Sequence, residues 1–383
     1  MRPEAASNRL PEIEVLRACA VAAVVLCHAH GNLVLRPHHV FDWLIARTRL
    51  DRGVDLFFAI SGFVISRALL PQLAACRRRG DFITVAMGFW IRRAWRLLPS
   101  AWLWLVIILA ASLWFNQSGA FMSPQANAWA MLAGVFDFAN FRMAQTMFHT
   151  DYGASFAWWS LSLEEQFYLL LPPCAYLAGR FLPLAMLGVL FSEAFRLRTM
   201  LMVLTRTDAI LLGCLLAMAA RMRGFHGLGA RLAPIYARGL AVVAAVALVT
   251  VGVGDNPINR YAIITVALLS TGLVYLACQD RGLLIADGWP RRLLCAIGAR
   301  SFGLYLIHIP AFCAAREIFF RNGAPRDETI VALTGIALLL FASELNWRFV
   351  EQPLRDRGRH VAARFAARRL ILQSASLEHP HAA

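Results

Sequence analysis

The sequence predicts an all-α fold, a polytopic integral membrane helical bundle of about ten transmembrane helices. Of its 383 residues 59% are hydrophobic and 16% charged, and apolar runs of span length recur from end to end with no soluble domain between them. All 38 residues counted as Lys+Arg are arginine, clustered in short segments between those runs. That is the positive-inside pattern, and it explains the net charge of +15 without a nucleic-acid partner. The absence of lysine excludes a lysine nucleophile or Schiff base. The eight cysteines are scattered without a CxxC pair, so they read as packing thiols, and no spacing suggests a metal site.

The first run, 13–30, has the length of a signal peptide. It keeps Arg17 inside and shows no small-residue cleavage site, so it is expected to stay as a signal anchor. Arg17 and His28 lie eleven positions apart, which on a helix leaves them roughly 20° apart in azimuth and ~16 Å apart along the axis. An ionisable pair inside hydrocarbon is a functional-site hypothesis; the alternative is that both snorkel to opposite interfaces.

A loop with Arg36, His38, His39, Arg47, Arg49 and Arg52 precedes the second span, 53–70, whose Ser61-Gly62 notch suits helix packing or a ligand. The loop 76–96, with Arg77, Arg78, Arg79, Arg92, Arg93 and Arg96, marks the cytoplasmic side. A third span follows at 99–115, with Pro99 at its start, where proline is tolerated. Residues 116–126 carry no arginine and read as external; 127–141 is apolar but short, re-entrant or interfacial. The run 158–173 opens on Trp158-Trp159 and holds Glu164 and Glu165. Further runs fill 181–195, 207–220, 233–252, 259–278, 298–320 and 328–349. The basic loops 221–231 and 280–292 put the C-terminus inside and the loop 76–96 does the same for the N-terminus, which requires an even number of crossings and leaves ten. Residues 1–355 form one transmembrane domain, and 356–383 an unpatterned basic cytoplasmic tail, expected to be disordered. The expected location is the inner (cytoplasmic) membrane, multi-pass.

Seven pieces taken in order resemble the membrane-bound acyltransferase family 3, the integral-membrane O-acyltransferases. They are Arg17 with His28, GVDLFFAISGF (53–63), RRAWRLLP (92–99), WSLSLEEQFY (159–168), RTDAILLG (206–213), GLYLIHIP (303–310) and VEQPLR (350–355). The resemblance implies an acyl-CoA donor, usually acetyl-CoA, that acts as a substrate rather than a permanently bound cofactor. It also implies a hydroxyl acceptor on a carbohydrate or glycoconjugate, and it makes Glu164 the family-matched carboxylate. Many relatives carry an extra-membrane hydrolase-like domain, and no GxSxG or GDSL-like stretch is seen here. The expectation is direct acylation of the acceptor or completion by a partner protein.

The residues agree with that chemistry. Arg93 and Arg96 are i,i+3, and Arg92 joins Arg96 at i,i+4; guanidinium forks suit the phosphates of coenzyme A, the alternative being a topogenic cluster. Acyl transfer to a hydroxyl needs a base, and His28 is the natural one, with Glu164 as its carboxylate partner near the same end of the bundle. Glu165 points about 100° away. Arg17 is placed to orient the acyl-pantetheine arm. Arg206 and Asp208, two apart, do not face each other and must find other partners. With Ser61, Tyr305 and His308 they complete the candidate substrate-binding set. Tyr305 and His308 share a helix face and either line the cavity or form an interhelical hydrogen bond. Residues 351–355 read as an anchoring helix end. The rival class is a transporter of an anionic or sugar-like solute, against which the absence of paired broken-helix repeats argues. An inactive assembly subunit, the third reading, would have no need of His28.

Overall fold

With no water in a bilayer to satisfy its peptide groups, a chain of such apolar runs must close its hydrogen bonds within each run, and it does so as helices. The computed structural model describes residues 10–34, 39–76, 78–147, 149–195, 199–222, 224–225, 227, 231–254, 259–323 and 328–378. Arg36, His38, Arg77 and parts of the loops 221–231, 252–258 and 321–327 lie outside the described residues. Among the described residues there are sixteen α-helices and no strand. In order they are α1 (Pro11–Asn32), α2 (His39–Ala46), α3 (Gly53–Ala74), α4 (Arg79–Trp114), α5 (Pro124–Val135), α6 (Ala139–Thr146), α7 (Trp158–Ala178) and α8 (Leu182–Phe195). Then come α9 (Met200–Leu204), α10 (Asp208–Ala219), α11 (Pro234–Thr250), α12 (Arg260–Cys278), α13 (Trp289–Ala299), α14 (Ser301–Arg321), α15 (Glu328–Asn346) and α16 (Gln352–Glu378).

Eight helical stretches among the described residues are long and apolar enough to cross a membrane. The expected ten runs are all helical, and the two counts differ for local reasons. α7 and α8 form one continuous stretch broken only at Gly179, whose φ of +51° turns the chain, and α11 has only 17 residues. The run 127–141 is no span: α5 has 12 residues and ends before a turn at Asp137, where φ is +56°.

Two expectations are corrected. The loop 76–96 is helical from Arg79, as part of the 36-residue α4. At about 1.5 Å per residue α4 is ~54 Å long, well beyond what a ~30 Å hydrocarbon core requires, and its arginine-rich half is helix rather than loop. The Arg78 amide donates to Asp81 Oδ2 at 3.1 Å and starts the helix, which leaves Pro99 in its interior. The tail expected to be disordered is also helical: α16 continues to Glu378. It packs along α4.

What positions the site is the tight pairing of α3 with α10. A Cβ at Gly62 would collide with the Ile210 carbonyl, and one at Gly213 with that of Ala59, so both backbones meet through glycine. The small notch expected at Ser61-Gly62 is therefore divided, Gly62 serving the packing. A buried ion pair ties the same two elements: Arg206 Nε and Nη2 donate to Asp55 Oδ1 at 2.9 and 2.8 Å. Arg52 Nη1 stands 3.9 Å from Asp55 Oδ2.

Candidate functional site

Helices α1, α3, α4, α7 and α14 line a cavity of about 90 Å³. Arg17, Ser61, Arg93, Arg96, Ser160, Glu164, Tyr168 and Tyr305 supply its polar wall, so residues expected from five separate motifs meet in one place.

The arginines occupy one end. Arg17 Nη1 donates to Glu14 Oε1 at 2.8 Å. Arg93 lies over the ring of Tyr168, 5.4 Å from its centroid. Among the described residues Arg93 and Arg96 have no carboxylate or carbonyl within hydrogen-bond distance. Two guanidinium groups that face a cavity and bond no protein oxygen keep their N–H donors for an anion, with Glu164 on the same wall. Arg92 belongs to the same rim but lines an adjoining cavity.

On the facing wall Ser61 Oγ lies 2.6 Å from Tyr168 Oη. Tyr168 Oη donates to Glu164 Oε2 at 3.0 Å, which leaves the Ser61 hydroxyl as donor to the tyrosine oxygen. The signal for Tyr168 was present in the sequence, four residues past Glu164 on one helix face.

The expected pairing of His28 with Glu164 is not what the structure brings together. Glu164 faces the arginine cavity, whereas His28 Nδ1 lies 2.8 Å from His308 Nε2. Both histidines are ordered by their surroundings. His28 meets Phe156 edge-on at 5.2 Å between ring centroids, and the two imidazole planes are within 9° of parallel. His308 is fully buried, and its Nδ1 is 2.6 Å from the Tyr305 carbonyl oxygen. The depth that two helices share depends on how they cross, and a single helix does not encode it.

That network assigns the protons. A carbonyl oxygen only accepts, so His308 Nδ1 is the protonated nitrogen, and in a neutral ring Nε2 is then an acceptor. His28 Nδ1 must donate to it. The lone pair of His28 consequently resides on Nε2, the tautomer a general base requires there. The turn Leu50–Arg52 packs against α1 and carries Asp51, fixed by Arg49 through two bonds of 3.0 Å. Neither residue belongs to the motif pieces read from the sequence. Tyr305, on the cavity wall, links the two regions: its hydroxyl is 2.6 Å from Ser160 Oγ and donates to the Ala157 carbonyl at 3.1 Å. Of the alternatives for Tyr305 and His308, the first residue lines the cavity and the second makes the interhelical bond.

Arg206 and Asp208 are not brought to the cavity. Arg206 is spent on Asp55, as its separation from Asp208 required, and lies over Trp159 at 5.6 Å from the ring centroid; Asp208 is buried at the start of α10. Residues 351–355, read as an anchor, hold more than that: Glu351 and Arg355 line a further cavity. All eight cysteines are free thiols.

A family model described as an acyltransferase domain matches residues 10–343. The chain is 26% identical over 376 residues to "O-acetyltransferase OatA" of Staphylococcus aureus, an alignment that covers 91% of this chain and 58% of the relative. It is 25% identical over 388 residues to "Peptidoglycan O-acetyltransferase OatA" of Listeria monocytogenes, with 91% and 56% covered. With "Putative peptidoglycan O-acetyltransferase YrhL" of Bacillus subtilis it shares 24% over 383 residues, with 91% and 55% covered. The chain thus spans a little over half the length of the curated relatives it matches. No solved structure gives a significant match.

Proposed function

Because the chain belongs to the acyltransferase domain family, whose model covers residues 10–343, we propose that it is an integral-membrane O-acyltransferase that moves an acyl group, in the simplest case acetyl, from acyl-CoA to a carbohydrate hydroxyl. The observation that carries this reading is one cavity lined by Arg93 and Arg96, neither bonded to a protein oxygen, with a proton-ordered histidine pair behind Tyr305. The names of the relatives make the glycan of peptidoglycan the first acceptor to test.

In the proposed reaction the donor enters at the arginine end, its phosphates on Arg93 and Arg96 with Arg92 at the rim. The acyl-pantetheine arm runs past Arg17 and the hydroxyl wall of Ser61 and Tyr168. His28 Nε2 removes the proton of the acceptor hydroxyl as its oxygen attacks the thioester carbonyl; the carbon–sulfur bond breaks, and the departing thiolate takes that proton from the imidazolium to leave as free coenzyme A. Asp51 stabilises the transient imidazolium. Glu164, apart from His28, holds Tyr168 and balances the arginines. Arg206, Asp55 and Asp208 act as scaffold in this scheme. His28 stands behind Tyr305 and His308 rather than on the cavity surface, so the acceptor approaches from the end of the bundle where α1 finishes. The arginine end, with both termini, then faces the cytoplasm across the cytoplasmic membrane.

The deciding measurement is release of coenzyme A thiol by the protein reconstituted in vesicles, with and without glycan acceptor. Acceptor-dependent thiol release supports the reading. Passage of a solute across the vesicle wall without loss of thioester under any acceptor would establish the transporter instead.

A further inference from the structure

The last helix lies beyond the family match, which ends at residue 343, and yet it reaches the site. Two more cavities adjoin the first. One, of about 360 Å³, lies among α1, α3, α14 and α16; the other, of about 180 Å³, lies among α3, α4 and α16. Arg96 lines all three, and Arg355 and Arg359 of α16 line both outer ones.

Among the described residues the outer pair of cavities presents seven arginines against two carboxylates, Glu14 and Glu351, a difference of five (7 − 2). Glu14 pairs with Arg17 at 2.8 Å, and Glu351 accepts from Asn346 Nδ2 at 2.7 Å. Forks converging from several helices suit an anion with more than one phosphate.

The placement of α16 is built in. A π-helical turn over Trp347–Glu351 shifts the register between α15 and α16. Gly358 then rests against Trp95 of α4, where a Cβ would not fit without movement. Arg355 and Arg359, i and i+4, accordingly share one face. The Arg355 guanidinium lies 5.0 Å from the Trp347 ring centroid.

We infer that α16 contributes, through Arg355 and Arg359, a phosphate-binding subsite for the nucleotide end of the thioester donor, with Arg93 and Arg96 holding the phosphates nearer the thioester. This rests on the acyl-CoA reading above. An anionic lipid headgroup offers the same chemistry, and the experiment separates the two sources.

The full chain is placed in nanodiscs of zwitterionic lipid, and binding of coenzyme A and of its 3′-dephospho form is measured for wild type and for Arg355→Gln/Arg359→Gln. The double variant is expected to raise the Kd for coenzyme A about tenfold to a hundredfold, as loss of charged contacts implies, and to narrow the wild-type preference over the dephospho form. An unchanged Kd and preference overturn the inference. So does a double variant that alters only the stabilisation by added phosphatidylglycerol, which assigns the subsite to lipid. Should the double variant not fold, the exposed Arg359→Gln alone is judged by the same preference. A wild-type protein that binds no coenzyme A at all refutes the donor reading itself, a separate outcome.

Discussion

Replacing His308 by phenylalanine tests whether the histidine pair is chemistry or packing. Phenylalanine fills nearly the same planar space, so the buried site keeps its volume while His28 Nδ1 loses the acceptor that stands 2.8 Å away. An N–H left unsatisfied in a buried site costs about 1–3 kcal/mol. The imidazole escapes that cost by moving its proton to Nε2, the atom that must be bare for base catalysis. At about 1.4 kcal/mol per decade, the active tautomer falls, and kcat with it, roughly fivefold to a hundredfold or somewhat more. His28→Ala should lose about 10²–10⁴. Because His308 acts only through His28, the double variant His28→Ala/His308→Phe should be no slower than His28→Ala alone, a full failure of additivity. His308→Gln, whose amide oxygen can accept from Nδ1, should recover part of the loss. The assay is acceptor-dependent thiol release, with thermal melting as the folding control. If His308→Phe keeps near-normal kcat, or if the two losses multiply, the tautomer argument is wrong.

Three further outcomes follow from the same geometry. Arg93→Ala and Arg96→Ala should raise KM for acyl-CoA by roughly tenfold to a hundredfold and lower kcat less, because a phosphate contact is shared by ground and transition states; steady-state kinetics with unchanged KM would return both to topology. Exchanging Cys27 and His28 rotates the imidazole by about 100° at constant composition, so insertion should be normal and transfer as poor as in His28→Ala. Near-normal transfer by the exchanged protein would remove His28 from the mechanism. Arg206→Ala removes both short bonds to the buried Asp55 and leaves it only Arg52 at 3.9 Å, at a cost of up to about 3–5 kcal/mol, and should lower the melting temperature and yield rather than shift KM for the acceptor. A variant that melts normally with an altered acceptor KM would put Arg206 in the site.

The parts of this protein legible in its sequence are those set by local periodicity. Apolar runs fix which segments become helices, and i,i+3 and i,i+4 spacing fixes which arginines of α4 and which residues of α7 share a face. Contacts between helices follow a different rule. His28 finds His308 across 280 positions and Arg206 finds Asp55 across 151; both pairings depend on crossing depth, which glycine-to-carbonyl contacts such as Gly62 against Ile210 determine. The same cause hid α16. A search for a helix looks for a stripe of large apolar residues, whereas α16 seats itself on α4 through small ones. Gly358 lies against Trp95, and Ala362, one turn on, is 2% exposed. Small residues bring the helix axis close and leave the flanking long side chains at the rim. A segment that reads as an unpatterned basic tail is thereby able to deliver Arg355 and Arg359 to the cavity edge. If that packing is what places them, Gly358→Leu should weaken coenzyme A binding with both arginines still present, measured in the same nanodiscs. Binding as tight as wild type in Gly358→Leu would show that α16 does not need its seat on α4 to present its charges.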